Sequence, residues 1–177
     1  MENKTISSTN ENRDTILVNI ADKIKTIMDI EYHYNLADLF NNLKGKTKAQ
    51  KEEVYESIIN YYLERITTGR TIKDVEKVEK DSDIEEIMTF FTYTYFSKDE
   101  ESKHNYFVIE EEAECVVDDL IAKICGRNKR TLKLPLKLKD IKDFCIENVV
   151  KEKDIESTIM WMILKLAVLN ALLDKQA

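Results

Sequence analysis

The sequence predicts a mainly α-helical fold, a single-domain bundle of about six to eight helices around a buried C-terminal helix. The 177 residues include only three Gly and one Pro, whereas turns and strand corners normally use many more of both. Between residues 157 and 173 the only charged side chain is Lys165. A helix that is apolar on nearly every side must be covered by neighbouring elements, so we expect the rest of the chain to wrap around it.

The composition is typical of a globular chain, with 43% hydrophobic residues, 34% charged residues and a net charge of −7. Three cysteines, Cys115, Cys125 and Cys145, lie on predicted apolar faces and form no Cys-x-x-Cys pair. We expect them to be small buried side chains in a reducing compartment. Residues 1–13 are polar and contain no signal-peptide core. These features predict an acidic cytoplasmic protein with a disordered tail at 1–13 and a single helical domain at 14–177.

Cap and stop signals divide the first part of the chain into helices. The first helix is predicted from Asp14, because the apolar residues after it follow three-and-four spacing: Leu17, Ile20, Ala21, Ile24, Ile27 and Met28. A short helix capped by Asn35 ends at Gly45, which suits a left-handed C-terminal position. Thr47 and Gln50 form a capping-box pattern at the start of a long helix that a second glycine closes.

The middle of the chain contains an ambiguous element. A short charged helix is predicted from Thr71, and a capping box at Ser82 opens the next helix. Residues 89–96, which follow, are Thr and aromatic residues only, and this composition is typical of a strand. The capping box and the apolar spacing favour a helix; the alternative is a small β-hairpin between 89–96 and 106–109.

Further along, a helix predicted from Glu110 stops at Gly126. Residues 131–139 then alternate between Leu and polar residues around Pro135. Alternation with a central proline predicts an extended segment that lies over the core, because proline cannot donate to a central sheet ladder. Another helix, from about Asp140, leads into the final one.

The final helix, 155–173, has three interpretations. A membrane span needs about 20 apolar residues, and this run is shorter and contains Lys165, which must reach an edge or be paired. The narrow strip that would suit water passes through four residues, Glu156, Ala167, Asn170 and Asp174. We favour a core helix within one chain over a membrane span, and a helix shared between two copies of the chain is a further alternative.

Positive charge is concentrated in one segment, which we call the basic loop. It contains seven basic residues and no acidic one: Lys123, Arg127, Lys129, Arg130, Lys133, Lys137 and Lys139. Such clusters bind phosphate backbones through counterion release, although the acidic chain as a whole repels nucleic acid. The basic loop is therefore expected to be solvated or to dock on the acidic helix before it. Nucleic-acid binding through 123–139, in a dimer with two such loops side by side, is the alternative function.

Two acidic clusters, at 76–86 and 110–119, could supply carboxylate oxygens for a divalent cation. The Glu-Val-Tyr-Glu and Glu-Lys-Val-Glu sequences at 53–56 and 76–79 resemble the acidic motifs of all-α nucleoside triphosphate pyrophosphohydrolases, a metal-dependent family. The second motif of that family ends in Asp where this chain has Glu. This activity is a remote alternative, and no metal or cofactor site is predicted.

Other signals for catalysis are weaker still. His33 and His104 are isolated, and the chain has no Gly-rich phosphate loop. We predict instead a non-enzymatic intracellular protein that binds another protein, as a regulator, an inhibitor or an adaptor. Its support is a surplus of aromatic residues, which dominate interface hot spots: Tyr55, Tyr61, Tyr62, Tyr93, Tyr95 and Phe96. Ordinary core packing is the alternative role of these side chains.

Overall fold

The computed structural model describes residues 2–68, 70–81, 84–96, 111–125, 134–148 and 150–176. Within these ranges the chain forms eight α-helices and no strand. The helices are α1 (Glu2–Tyr34), α2 (Leu36–Asn41), α3 (Lys48–Thr67), α4 (Ile72–Asp81), α5 (Ile84–Phe96), α6 (Glu111–Ile124), α7 (Leu138–Glu147) and α8 (Ile155–Gln176), and a 3₁₀ turn at Glu152–Asp154 precedes α8. The predicted mainly α-helical class is confirmed.

The central element is α8, which packs against α1, α3, α4, α5, α6 and α7. The side chains along its middle have no exposed surface: Leu164, Leu166, Ala167, Val168 and Leu169. Lys165, the charged residue within this run, pairs with Asp118 of α6. The ion pair lets the lysine stem cross the apolar surface while its ammonium group meets a half-exposed carboxylate.

The polar strip predicted on α8 is wrong at its centre. Ala167 and Asn170 are fully buried, whereas Glu156 and Asp174 are exposed. Asn170 tolerates burial because its Nδ2 donates to the carbonyl oxygens of Leu166 at 2.7 Å and Tyr62 at 3.2 Å. Among the described residues, nothing donates to its Oδ1.

One described helix, Glu152–Lys175, is long and apolar enough to cross a membrane by length and composition. Of its most apolar window, 72% is buried inside the protein by other parts of the chain. The central helix of a helical bundle meets the same two criteria, so length and composition alone do not distinguish the two environments.

The predicted capping box and the left-handed residues at helix ends are present in the structure. In the capping box of α3, the Thr47 hydroxyl accepts from the Gln50 N–H at 3.3 Å, and the Gln50 side chain accepts from the Thr47 N–H at 3.0 Å. Gly45 has a φ of 74°, the predicted left-handed conformation. Asn35 joins α1 to α2 with a φ of 43°, a value that Asn tolerates better than most residues.

Two predicted helix starts, those of α1 and α7, differ from the structure. Residues 89–96 belong to α5, as favoured, and the other strand of the alternative hairpin, 106–109, lies outside the described residues. α1 starts at Glu2 and so includes the predicted tail. α7 starts at Leu138, two residues before the expected position.

The non-helical segment before α7 does lie on the core. Asn60 of α3 bonds both backbone groups of Leu136, accepting from its N–H at 2.6 Å and donating to its carbonyl at 2.8 Å. The side-chain amide therefore acts as a neighbouring strand would.

Candidate functional site

A line of large apolar side chains along α1 is exposed. We call it the α1 face, and its members are between 48% and 65% exposed: Ile16, Leu17, Ile20, Ile24 and Met28. At 100° per residue they occupy an arc of about 120° on one side of the helix. Single exposed apolar residues are common, but a contiguous group on one helix typically marks a binding surface.

The two halves of α1 have different environments. Every residue from 13 to 22 is exposed, so at 1.5 Å per residue about 15 Å of helix projects from the bundle. In the second half, Ile30 is 2% exposed and Ile27 packs partly against the core. The α1 face runs from the projecting half onto the packed half, where Ile30 lies beside it and Ile27, at its edge, is half-buried.

The packed half of α1 is held by a polar cluster at the end of α8. Asp174 accepts hydrogen bonds from the Tyr34 hydroxyl at 2.5 Å, from Arg65 at 2.9 Å and from Arg70 at 2.5 Å. Lys175 donates to the Thr26 hydroxyl at 2.8 Å. Nearer the N-terminus of α1, Lys23 pairs with Glu86 of α5. Together these contacts fix α1 to α3, α5 and α8.

The electrostatics of this cluster follow from those hydrogen bonds. Desolvation alone would raise the pKa of the Asp174 carboxyl, but hydrogen bonds from Tyr34, Arg70 and Arg65 outweigh it and lower that pKa below its ordinary value. Burial, together with the hydrogen bond to Asp174, raises the pKa of Tyr34 to about 12. The Arg65 guanidinium also lies 5.9 Å from the Tyr34 ring centroid and 5.7 Å from that of Tyr61.

Among the described residues, two of the cavities lie at the sides of the bundle. The first, of about 320 Å³, lies beside the polar cluster, and Asp174 and Lys175, which line it, are engaged with Arg65 and Thr26. The second, of about 500 Å³, lies between α3, α7 and the start of α8, with a floor of Tyr55, Ile155 and Ile159 and a rim of Lys and Glu side chains. Charged groups in both contact opposite charges: Arg65 bonds Asp174 in the first, and Lys142 pairs with Glu52 in the second.

The predicted aromatic interface is not assembled as one exposed surface among the described side chains. Tyr55 and Tyr62 are 3% and 4% exposed, so they belong to the core. Tyr61 is exposed and contacts Tyr62 edge to face, with ring centroids 5.4 Å apart. The side chains of Tyr93, Tyr95 and Phe96 lie outside the described residues.

Most of the predicted basic loop lies outside the described residues: Arg127, Lys129, Arg130 and Lys133. At its start, Lys123 lies 4.5 Å from the ring centroid of Phe144, a cation–π contact with α7. Lys137 and Lys139 are exposed where α7 begins. Nucleic-acid binding by this loop stays a prediction.

The described residues contain no group of three or more His, Cys, Asp or Glu placed to hold a metal ion. Within the motif at 53–56, Glu56 accepts from the backbone N–H of Leu138 at 3.1 Å, which helps to start α7. His33 is exposed and lines the first cavity, and His104 lies outside the described residues. The pyrophosphohydrolase alternative stays a prediction with no described metal cluster to support it.

The cysteines were expected to be buried, and this holds for Cys145, while Cys125 is half-buried. Cys115 is exposed, because it occupies the outer side of α6 beside the buried Val116 and Val117. Burial raises the pKa of the Cys145 thiol to about 11. Cys145 is therefore a neutral packing side chain at physiological pH.

The α1 face is not among the sites predicted from the sequence. Its three-and-four spacing was visible, but the same spacing is expected of a helix side that packs in a core. No family model, no curated protein and no solved structure matches this chain.

Proposed function

We propose that this chain is a non-enzymatic protein that acts by binding a protein partner through the α1 face, as a regulator, an inhibitor or an adaptor. The observation that carries the proposal is the exposure of five large apolar side chains on one side of a single helix. Recognition of an amphipathic helix by an apolar surface uses anchors at this spacing. The intracellular location predicted from the sequence is part of the proposal.

The energetic support comes from the area that a partner would remove from water. Fully burying an aliphatic side chain contributes about 1.5–3 kcal/mol, and each member of the α1 face is already about half exposed. Five such residues supply on the order of 5 kcal/mol before the costs of association. The apolar surface of the partner that is buried against these residues adds a comparable amount, and the two together exceed the lower estimates of the cost of association.

The second support for the proposal is that the packed half of α1 is held in place before a partner binds. The bonds from Tyr34, Arg65 and Arg70 to Asp174 hold the base of α1 in place. A partner therefore meets a helix that is already formed and oriented over its packed half, so less conformational entropy is lost on binding.

The experiment that tests the proposal is site-specific photo-crosslinking in the source cell. A photoreactive residue at Ile20 lies on the α1 face, and one at Asp22 lies on the opposite, exposed side of the same turn. We expect a discrete protein adduct from position 20 and none from position 22. We also expect Ile24→Asp to abolish the adduct formed from position 20.

Asn19→Asp is the matched control, since it adds the same charge at an exposed position away from the α1 face. This variant should keep the adduct. Equal adducts from positions 20 and 22, or no adduct from either, would contradict binding through the α1 face.

A further inference from the structure

We propose that the α1 face binds the α1 face of a second copy of this chain, with the two helices antiparallel and Arg13 of each copy against Glu31 of the other. The inference rests on the proposed function, because it names the partner of that same surface. Its basis is the sequence of charges and apolar residues along a single line of α1.

That line has the spacing of a helix–helix seam. Six positions alternate by four and three residues, so they lie along one side of the helix: Arg13, Leu17, Ile20, Ile24, Ile27 and Glu31. The four central members are apolar, while a cation stands at one end and a carboxylate at the other. Leu17, Ile20 and Ile24 are exposed, and Ile27 is half-buried against its own core, so it offers only its outer edge to a partner. The seam covers fewer than three heptads, so it predicts a short helix pair and not an extended coiled coil.

In an antiparallel arrangement, each residue of this seam meets a residue of compatible chemistry on the second copy, and we call each such facing pair a layer. When Ile20 of one copy faces Ile24 of the other, the same register places Leu17 against Ile27 and Arg13 against Glu31. Because the arrangement is symmetric, each of these layers occurs twice. A parallel arrangement would instead place the two Arg13 side chains together and the two Glu31 side chains together, and like charges in contact are unfavourable. Charge therefore selects the antiparallel direction.

The Glu31 carboxylate is already positioned within its own chain. It is half-buried and accepts a hydrogen bond from the backbone N–H of Ala37, in the first turn of α2. Arg13 of the second copy would thus meet an acceptor whose position α2 has fixed.

The size of the surface fits a weak but specific pair. Burying the α1 face of both copies removes on the order of 1,000 Å² from water, which is near the lower limit for specific interfaces. The dissociation constant is therefore expected to be on the order of micromolar. α8, the alternative surface for self-association, is covered by the chain's own helices.

The test is sedimentation equilibrium on the full chain and on two charge variants, Arg13→Glu and Glu31→Lys. Each variant alone places two like-charged layers in the antiparallel pair, so each should self-associate about tenfold more weakly than wild type. Mixing the two variants restores two opposite-charge layers, and the mixture should associate about as tightly as wild type. Parallel pairing would instead make the mixture tighter than wild type, which would overturn the proposed direction.

A second variant does not depend on Glu31, whose replacement could disturb the start of α2. Ile24→Asp changes an exposed residue and should weaken self-association by about a hundredfold, whereas Asn19→Asp should leave it unchanged. A dimer that Ile24→Asp does not weaken would overturn the inference.

A chain that stays monomeric at about a hundred times the expected dissociation constant would also overturn it. If position 20 still captured a different protein, the proposed function would stand without self-association. If it captured nothing, both proposals would fail.

Discussion

At the scale of single residues, Asp174 does more than its place in the sequence predicts. The helical wheel assigns it only to a solvent-facing strip, yet it joins α1, α3 and the segment before α4 by accepting from Tyr34, Arg65 and Arg70. These partners lie between 104 and 140 residues away in sequence. Local patterns carry no information about such contacts, so the cluster that holds α1 could not be predicted from spacing.

Replacing Asp174 with Asn should lower the free energy of unfolding by about 1 kcal/mol at neutral pH, because the lost charged hydrogen bonds are partly screened by solvent. The pKa of Asp174 is lower in the folded state than in the unfolded state. Its contribution is therefore present above the ordinary Asp pKa and is lost as the pH falls through the folded-state value. Urea unfolding over a pH series should show the difference between wild type and variant shrinking in acid.

Asp143→Asn provides the control for that series, because Asp143 is exposed on α7. This variant should follow the wild-type pH profile. A constant difference between wild type and Asp174→Asn across the acid range would show that ionisation of Asp174 does not stabilise the fold.

At the scale of elements, local chemistry was sufficient where a helix end depends on its own residues. The Thr47 capping box and the left-handed Gly45 were both predicted and are both present. α5 shows the limit of composition: Thr89, in its strand-like stretch, satisfies its hydroxyl by bonding the Glu85 carbonyl at 2.8 Å, so a β-branched residue fits a helix.

The site was harder to predict than the fold. Ile24 on α1 and Leu169 on α8 both follow apolar helical spacing, yet Ile24 is 53% exposed and Leu169 is fully buried. Periodicity identifies which side of a helix avoids water, but it does not distinguish a core from a partner as the cover. Only the packing of the other helices around α8 makes that distinction.

A matched pair of truncations tests this difference between elements. Leu169→Ala removes a fully buried side chain from α8 and should lower the free energy of unfolding by about 3 kcal/mol, because it leaves a cavity as well as losing burial. Ile24→Ala should cost less than about 1 kcal/mol when measured on dilute protein. Chemical denaturation of both variants gives the comparison, and similar losses would show that Ile24 is packed within the monomer.

At the scale of the whole molecule, the chain has one apolar helix that is buried and one apolar helix face that is exposed. The bundle covers α8 with six helices of the same chain, while the α1 face stays exposed on a helix that projects beyond the bundle. An antiparallel partner would cover this second surface and would bring the bundle of each copy near the projecting half of the other. Folding and self-association would then be coupled.

This coupling predicts thermal stability that depends on protein concentration. A partner that binds only the folded state stabilises it by mass action, and for a dimer with a micromolar dissociation constant a rise from about 1 μM to about 100 μM protein contributes about 1 kcal/mol per chain. For a chain of this size, we expect the unfolding midpoint to rise by about 3 °C over that range. Calorimetry should show a much smaller rise for Ile24→Asp, because that variant pairs only weakly over this range, and the full rise for Asn19→Asp. A wild-type midpoint that is independent of concentration would show that folded copies do not pair through α1.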